Sequence, residues 1–430
     1  MASVRAVASS TFRSLKTRNY RLFFVGQGIS LCGTWMQTIA LGWLVLDLSN
    51  NSGLAIGTVI ALQFVPTLFL GAWAGVIADR FDKRILLVAT AILMGVSAAG
   101  LAILTLAGVI ELWMVYVLVL VQGLAQALDN PTRLAFVSEM TGPQDLPNAV
   151  GLNSALFQTA RIVGPAFAGT IIVLLDTGWC FALNALSFVA VVVALLMMDP
   201  TRLHRGAPVE RAKGQVREGL RYIRDTPALR SMLVMTAVVG TLALNYPVVL
   251  PLLAKVTFDG NAETYSWMTV AMGAGALIGA LVVANKANPT PRVVLVAGLF
   301  FGASTVLASF APTIALFVFV LVIVGVSSIT FLANCQSTIQ LEAEPAKRGR
   351  VMAVYAICIL GSTPIGGPLV GWVSEQFGPR YGFGIGGVAT LAVTLVFVRT
   401  LLRAPAPEGD VGGDLAIDAE APRGTGVLAS

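Results

Sequence analysis

Apolar side chains dominate long unbroken runs of this chain, and the breaks between runs are short and charged or rich in Gly and Pro. The runs are about 20 residues long, enough for a helix to cross a hydrocarbon core of ~30 Å. Twelve follow one another, approximately at 21–46, 54–78, 85–108, 112–136, 147–175, 179–198, 229–252, 266–284, 293–310, 313–338, 351–373 and 381–402. Polar and apolar positions do not alternate within them, which argues against barrel strands. The pattern predicts an all-α membrane protein with twelve transmembrane helices.

Charge in the breaks sets the expected topology. Alternate loops carry Arg80, Lys83 and Arg84, then Arg133, the central segment, Lys286 and Arg292, and finally Lys347, Arg348 and Arg350; the opposite loops carry only Lys255 and Arg380. By the positive-inside rule both termini lie in the cytoplasm and the chain is multi-pass in the cell membrane. The arginine-containing N-terminus leads into a run too long for a signal peptide, so the first span reads as uncleaved. Five regions follow: a cytoplasmic segment 1–20, a six-helix bundle 21–198, a central loop 199–228, a second bundle 229–402, and an Ala/Pro/Gly-rich, acidic tail 403–430 that reads as disordered. In the central loop Val216, Leu220 and Ile223 fall at helical spacing opposite arginines, which predicts an amphipathic helix on the membrane surface.

Composition changes the picture mainly by exclusion. With 56% hydrophobic and 12% charged residues, the chain has more apolar surface than one soluble core buries. The net charge of +6 is spread over loops without interleaved aromatics, so no nucleic-acid partner is expected. Cys32, Cys180, Cys335 and Cys358 are widely separated, and His204 is the sole histidine. No metal site, Ser/His/Asp triad or disulfide framework follows from them. No phosphate-binding GxxxxGK[ST] loop occurs, and no cofactor is implied.

The two bundles echo each other. GPAFAG at 164–169 is matched by GPLVG at 367–371, and GAWAG at 71–75 by GALIG at 275–279. Two parallel six-helix repeats with a binding site between them form a known transporter architecture. GVIADRFDKR at 75–84 then carries a resemblance to the major facilitator superfamily, and within it to the drug:proton antiporter branch that includes enterobactin-exporter-like proteins. Lys83 stands where an arginine is usual. Physically, Gly75 permits close helix approach, Asp79 can cap a facing helix, and Arg80, Lys83 and Arg84 can bond acids and helix C-termini of the other half. The resemblance implies an inner gate latch, with its partner near Gly349 to Val351.

GLNSALFQTARIVGPAFAG at 151–169 resembles the antiporter pattern of the fifth helix. Gly151, Gly164, Pro165 and Gly169 fit it, while Ala160 and Ala168 replace glycines. Ala160, Gly164 and Ala168 form a smooth stripe, expected to pack on Ala271, Gly275 and Gly279 of the eighth span as a hinge between the halves. Val119 stands where the branch often has an arginine, so the fourth-helix relay of that branch is absent.

Arg161, beside the stripe, lies deep in an apolar run, where an arginine costs roughly 3 kcal/mol by insertion scales. It is expected to face an internal aqueous cavity with Asn153, Ser154, Phe157 and Gln158. Either it serves the substrate site and cavity electrostatics, or it caps carbonyls or forms an ion pair near the hinge. Gln122, Gln126 and Asp129 share a face of the fourth span. Asp129 either completes the latch by pairing with Arg80 or Lys83, or takes up a proton and breaks it. Gln27, Gln37, Gln63, Asn245, Asn334 and Gln336 are further polar groups in apolar spans, Asn245-Tyr246-Pro247 would loosen the seventh, and Trp35, Trp43 and Phe64 could offer aromatic surface.

These features predict a non-enzymatic, monomeric secondary transporter that exports amphipathic, drug-like organic compounds by alternating access, with protons as coupling ion and the lipid bilayer as its surroundings. Export of an anionic metabolite or siderophore is the alternative within transport, favoured by Arg161 and the scarcity of deep acids. A membrane receptor or scaffold is the alternative outside it.

Overall fold

The computed structural model describes residues 11–204, 221–285, 289–345 and 347–403. Helices account for nearly all of them. In chain order, α1 is Arg18–Leu48, α2 Gly53–Arg80 and α3 Lys83–Leu106. The stretch Leu112–Leu174 is helical over 63 residues, which at 1.5 Å per residue would be ~95 Å, about three bilayer cores. It is interrupted at Gly142, where φ is 71° and ψ 172°. Residues 112–141 are therefore α4 and 143–174 are α5. The sequence predicts a wider gap here; Pro143, preorganised for a helix's first turn, lets α5 begin directly after the glycine.

Then come α6 Thr177–Leu196, α7 Pro227–Thr257, α8 Ala262–Asn285, α9 Pro291–Ser309, α10 Ile314–Glu342, α11 Arg348–Phe377 and α12 Pro379–Arg403. As predicted from Asn245-Tyr246-Pro247, α7 breaks between Leu242 and Tyr246. α11 breaks after Leu360 and restarts at Thr363. Of the predicted amphipathic helix, Val216 and Leu220 lie outside the described residues; Ile223 is buried. The tail after Arg403 also lies outside them.

Large apolar side chains such as Phe69, Leu186, Val296 and Phe319 are exposed around the bundle, as a surface solvated by lipid requires. Packing repeats between the halves. A Cβ at Gly123 of α4 would strike the Gln63 carbonyl of α2, and one at Gly325 of α10 would strike the Met272 carbonyl of α8. These small residues let the two helix pairs cross at backbone contact.

Contact between the halves is concentrated at the end away from the chain termini. There, Gly53 and Gly57 of α2 meet the backbone of Gly371 and Gly367 of α11, and Gly169 of α5 meets Glu263 and Ser266 of α8. Lys255 of α7 pairs with Asp47 of α1. At the terminal end a Cβ at Gly71, Gly151 or Gly349 would find nothing within 4 Å. Among the described residues, the bundle is closed at the far end and open at the terminal one.

Candidate transport site

Arg161 sits roughly 27 Å along α5 from residue 143 and ~20 Å from residue 174, near the middle of the seam, on a rise of 1.5 Å per residue. Its Nε is fully buried and has no hydrogen-bond partner. The guanidinium lies 5.7 Å from the centroid of Trp35 on α1, within cation–π range. Trp35 meets Phe157 edge to face at 5.8 Å. Across the seam Arg161 is within electrostatic reach of Tyr246 of α7, whose hydroxyl is also buried and unpartnered. No ion pair among the described residues involves Arg161.

Toward the terminal end the same face of α5 opens progressively: Gln158 is half-buried, Phe157 is 45% exposed, Ser154 is exposed and Gly151 has empty space before it. Asn153 is half-buried. That face leads from the open end to Arg161. Gln126 of α4 has a buried, unpartnered Oε1, and Asn245 an unpartnered Oδ1, although its Nδ2 donates to the Thr241 carbonyl at 2.7 Å.

Other polar residues are satisfied within one half. Gln122 accepts from Gln37 Nε2 at 2.8 Å, and Gln37 Oε1 accepts from Asn184 Nδ2 at 2.6 Å. Gln122 is thus engaged in a buried chain tying α4, α1 and α6. A cavity of about 20 Å³ beside it, lined by Thr34, Gln37, Gln63, Gln122 and Pro247 among others, has room for a single water. Asn334 donates to the Thr330 carbonyl one turn back at 2.8 Å. Trp43 lies beneath Lys255, 5.1 Å from Nζ to ring centroid, so it belongs to the closed end and not to the Arg161 surface.

The expected pairing of Asp129 with Arg80 or Lys83 is not found. Asp129 is buried, accepts from Thr90 of α3 at 3.1 Å, and faces Arg133 one turn along its own helix at 3.4 Å. Arg133 also donates to Gln27 of α1 and Asn130, at 3.1 and 2.7 Å. Lys83 bonds Glu139 of α4 instead, at 2.7 Å. Arg84 donates to the Leu195 and Leu196 carbonyls at 2.6 and 2.8 Å, closing the C-terminus of α6. The loop motif thus bonds an acid and a helix C-terminus, but inside its own half; Arg80 is exposed. The bonds of Lys83 and Arg84 both stay within this half, and Gly349 has open space before it. Asp82 caps α3 through the Arg84 and Ile85 N–H groups. Gly75 is half-buried in α2, and the Asp79 side chain lies outside the described atoms.

The small-residue stripe is also corrected. Ala160 and Ala168 are fully buried, and Gly164, ahead of Pro165, packs on Cys32 and Trp35 of α1. Gly275 and Gly279 of α8 pack on the Val322 and Val326 carbonyls of α10. Both stripes therefore close contacts within a half. The α5–α8 seam uses the neighbouring face instead, through Gly169 and through Ile162 and the Arg161 carbonyl against Gly273. Four-residue spacing marks a smooth face without naming its partner. Sequence reasoning also missed Glu139, Asp47 and Glu375, whose partners are on facing helices, and the bond from Arg133 to Gln27 of α1.

A seam of two six-helix halves, closed at one end and polar in the middle, defines a transporter of the major facilitator fold. Residues 9–412 match the family described as "Transmembrane secretion effector", and the chain belongs to that family. It is 24% identical over 382 residues to the staphyloferrin A transporter of Staphylococcus aureus, covering 88% of this chain and 95% of that protein. It is 21% identical to macrolide efflux protein A of Streptococcus pyogenes, covering 89% and 96%. To the multidrug efflux pump Tap of Mycolicibacterium fortuitum it is 26% identical, covering 80% and 87%. Among solved structures, a peptide transporter, POT, aligns with a TM-score of 0.74 at 14% identity over 90% of this chain and 94% of that one. The nucleoside transporter NupG aligns at 0.71 and 13%, over 89% and 99%.

Proposed function

We propose that this protein exports amphipathic organic compounds by alternating access, driven by proton entry, with both termini in the cytoplasm. The carrying observation is Arg161 with its Trp35–Phe157 surface, midway between halves that touch at the far end and part at the terminal one. With the termini inside, this is the state that loads from the cytoplasm. The efflux and siderophore-transport names of the relatives support organic cargo and the outward direction.

Asp129 is the proposed coupling group. It is buried beside Thr90 and Arg133. Protonation would cancel its attraction for Arg133 and free that side chain for the cavity or the gate. Arg161 is proposed to bind cargo, and Gln126, Asn153, Gln158 and Asn245 to line the path.

The test is accumulation of two dyes, ethidium and carboxyfluorescein, in a pump-deficient host, with and without a proton uncoupler. Wild type should lower at least one dye only while the gradient is intact. Asp129→Asn and Arg161→Gln, present at equal amounts in the membrane, should not. Unchanged accumulation of both dyes by well-expressed wild type would sink the export reading.

A further inference from the structure

Three arginines of the first half, Arg84, Arg133 and Arg161, differ in one respect. Arg84 donates to two helix-terminal carbonyls, and Arg133 engages Asp129, Gln27 and Asn130. Arg161 is the deeper of the three, yet its Nε has no acceptor and its named neighbour is the Trp35 ring. An arginine that only braced a helix junction would bond carbonyls, as Arg84 does. The ring face offsets only part of the desolvation of a guanidinium whose Nε is buried without an acceptor. An anion would supply the missing acceptor.

A second unpaired donor lies on the other half. Tyr246 presents a buried hydroxyl that no hydrogen bond takes up; the Ser328 hydroxyl, which gives its own hydrogen to the Gly325 carbonyl at 3.0 Å, stands beside it. A guanidinium from α5 and a phenol from α7 thus face one seam, each with a buried donor that no hydrogen bond takes up. A carboxylate, acceptor-only when ionised, complements both. The other wall is the Trp35–Phe157 pair, which offers apolar ring surface contiguous with the charge. This surface continues to the exposed face of Phe157, toward the open end.

We infer that the site takes organic acids: an ionised acid group seated between Arg161 and Tyr246, with a ring or other planar apolar body against Trp35 and Phe157. The inference rests on the export reading and narrows its cargo. It also assigns Tyr246 a role, since an anion held by both donors ties the two halves together at the middle of the seam.

The experiment uses the full chain in lipid nanodiscs and a matched pair of probes, dansyl-phenylalanine and its uncharged amide, followed by dansyl emission excited through tryptophan. Wild type should bind the acid about thirtyfold or more tighter than the amide, the lower range for a buried charge pair. Arg161→Gln should abolish that preference while leaving the amide's affinity within about threefold, and Arg161→Lys should keep part of it. Tyr246→Phe should weaken the acid alone by about tenfold. Trp35→Leu, which keeps the charge, should weaken both probes alike. Equal affinities in wild type, a preference that survives Arg161→Gln, or binding of neither probe overturns the acid class. If the same protein still lowers ethidium in a gradient-dependent way, the export reading stands and only its cargo changes.

Discussion

Ser52 and Glu375 join the two halves at the far end: the serine hydroxyl donates to Glu375 Oε2 at 2.6 Å, and the Leu54 backbone N–H donates to the same oxygen at 3.1 Å. Ser52 caps α2 by accepting from the Ala55 N–H, so the carboxylate of α11 sits at the positive end of that helix, where an anion is favoured. The contact is solvent-exposed and contributes about 0.2–1 kcal/mol. Glu375→Gln should raise the population opened at the far end by up to about fivefold. Electron–electron distance measurements between labels at the exposed positions Leu175 and Phe377 would read it. An unchanged distance distribution would remove Glu375 from the gate.

Asp47 and Lys255 make a second bond across that end, with Trp43 beneath the ammonium. Asp47→Lys or Lys255→Asp alone sets like charges opposite each other and should open the far end. The double reversal should restore the wild-type distance distribution, with a coupling of about 0.2–1 kcal/mol that shrinks in high salt. Additive single effects would show that the pair is incidental.

Much of the architecture was legible because lipid imposes a strict pattern: each span must hide its backbone in a helix of about 20 apolar residues. The oddity of Arg161 was legible for the same reason. Partner choice was not. Lys83 had Asp129 and Glu139 within plausible reach, and only the packing of α3 against α4 selects Glu139. The stripe Ala160, Gly164, Ala168 announces close packing, but its partner α1 depends on how α5 is rotated. Gln122 shares a helix face with Gln126 and Asp129, but its hydrogen bond goes to Gln37, 85 residues away in sequence.

Gly142 supplies the turn between α4 and α5 at φ 71°. With ψ at 172°, this is a region essentially reserved for glycine, and a side chain there incurs roughly 1–3 kcal/mol of backbone strain. Gly142→Ala should therefore lower the thermal midpoint in detergent with no direct effect on cargo affinity. Gly151→Ala, in open space and not at positive φ, should leave the midpoint unchanged. Equal midpoints for Gly142→Ala and wild type would show that the turn relaxes.

Gly57 and Gly151 should act in opposite directions on the transport cycle. A Cβ at Gly57 would lie 2.6 Å from the Gly367 carbonyl carbon and 2.7 Å from Pro368 Cα, both backbone atoms that cannot swing aside. Gly57→Val therefore opposes the far-end contact, and overpacking of this kind costs ~1–3 kcal/mol, a 5- to 150-fold shift between two states. Gly151 has nothing within 4 Å while the terminal end is open, so Gly151→Val spares this state and obstructs closure of the terminal end. Labels at Leu175 and Phe377 should move apart in Gly57→Val and stay close, with a narrowed distribution, in Gly151→Val. Both variants should reach the membrane and lose export. If both shift the distance the same way, the two glycines do not sit at opposite gates of one rocking motion.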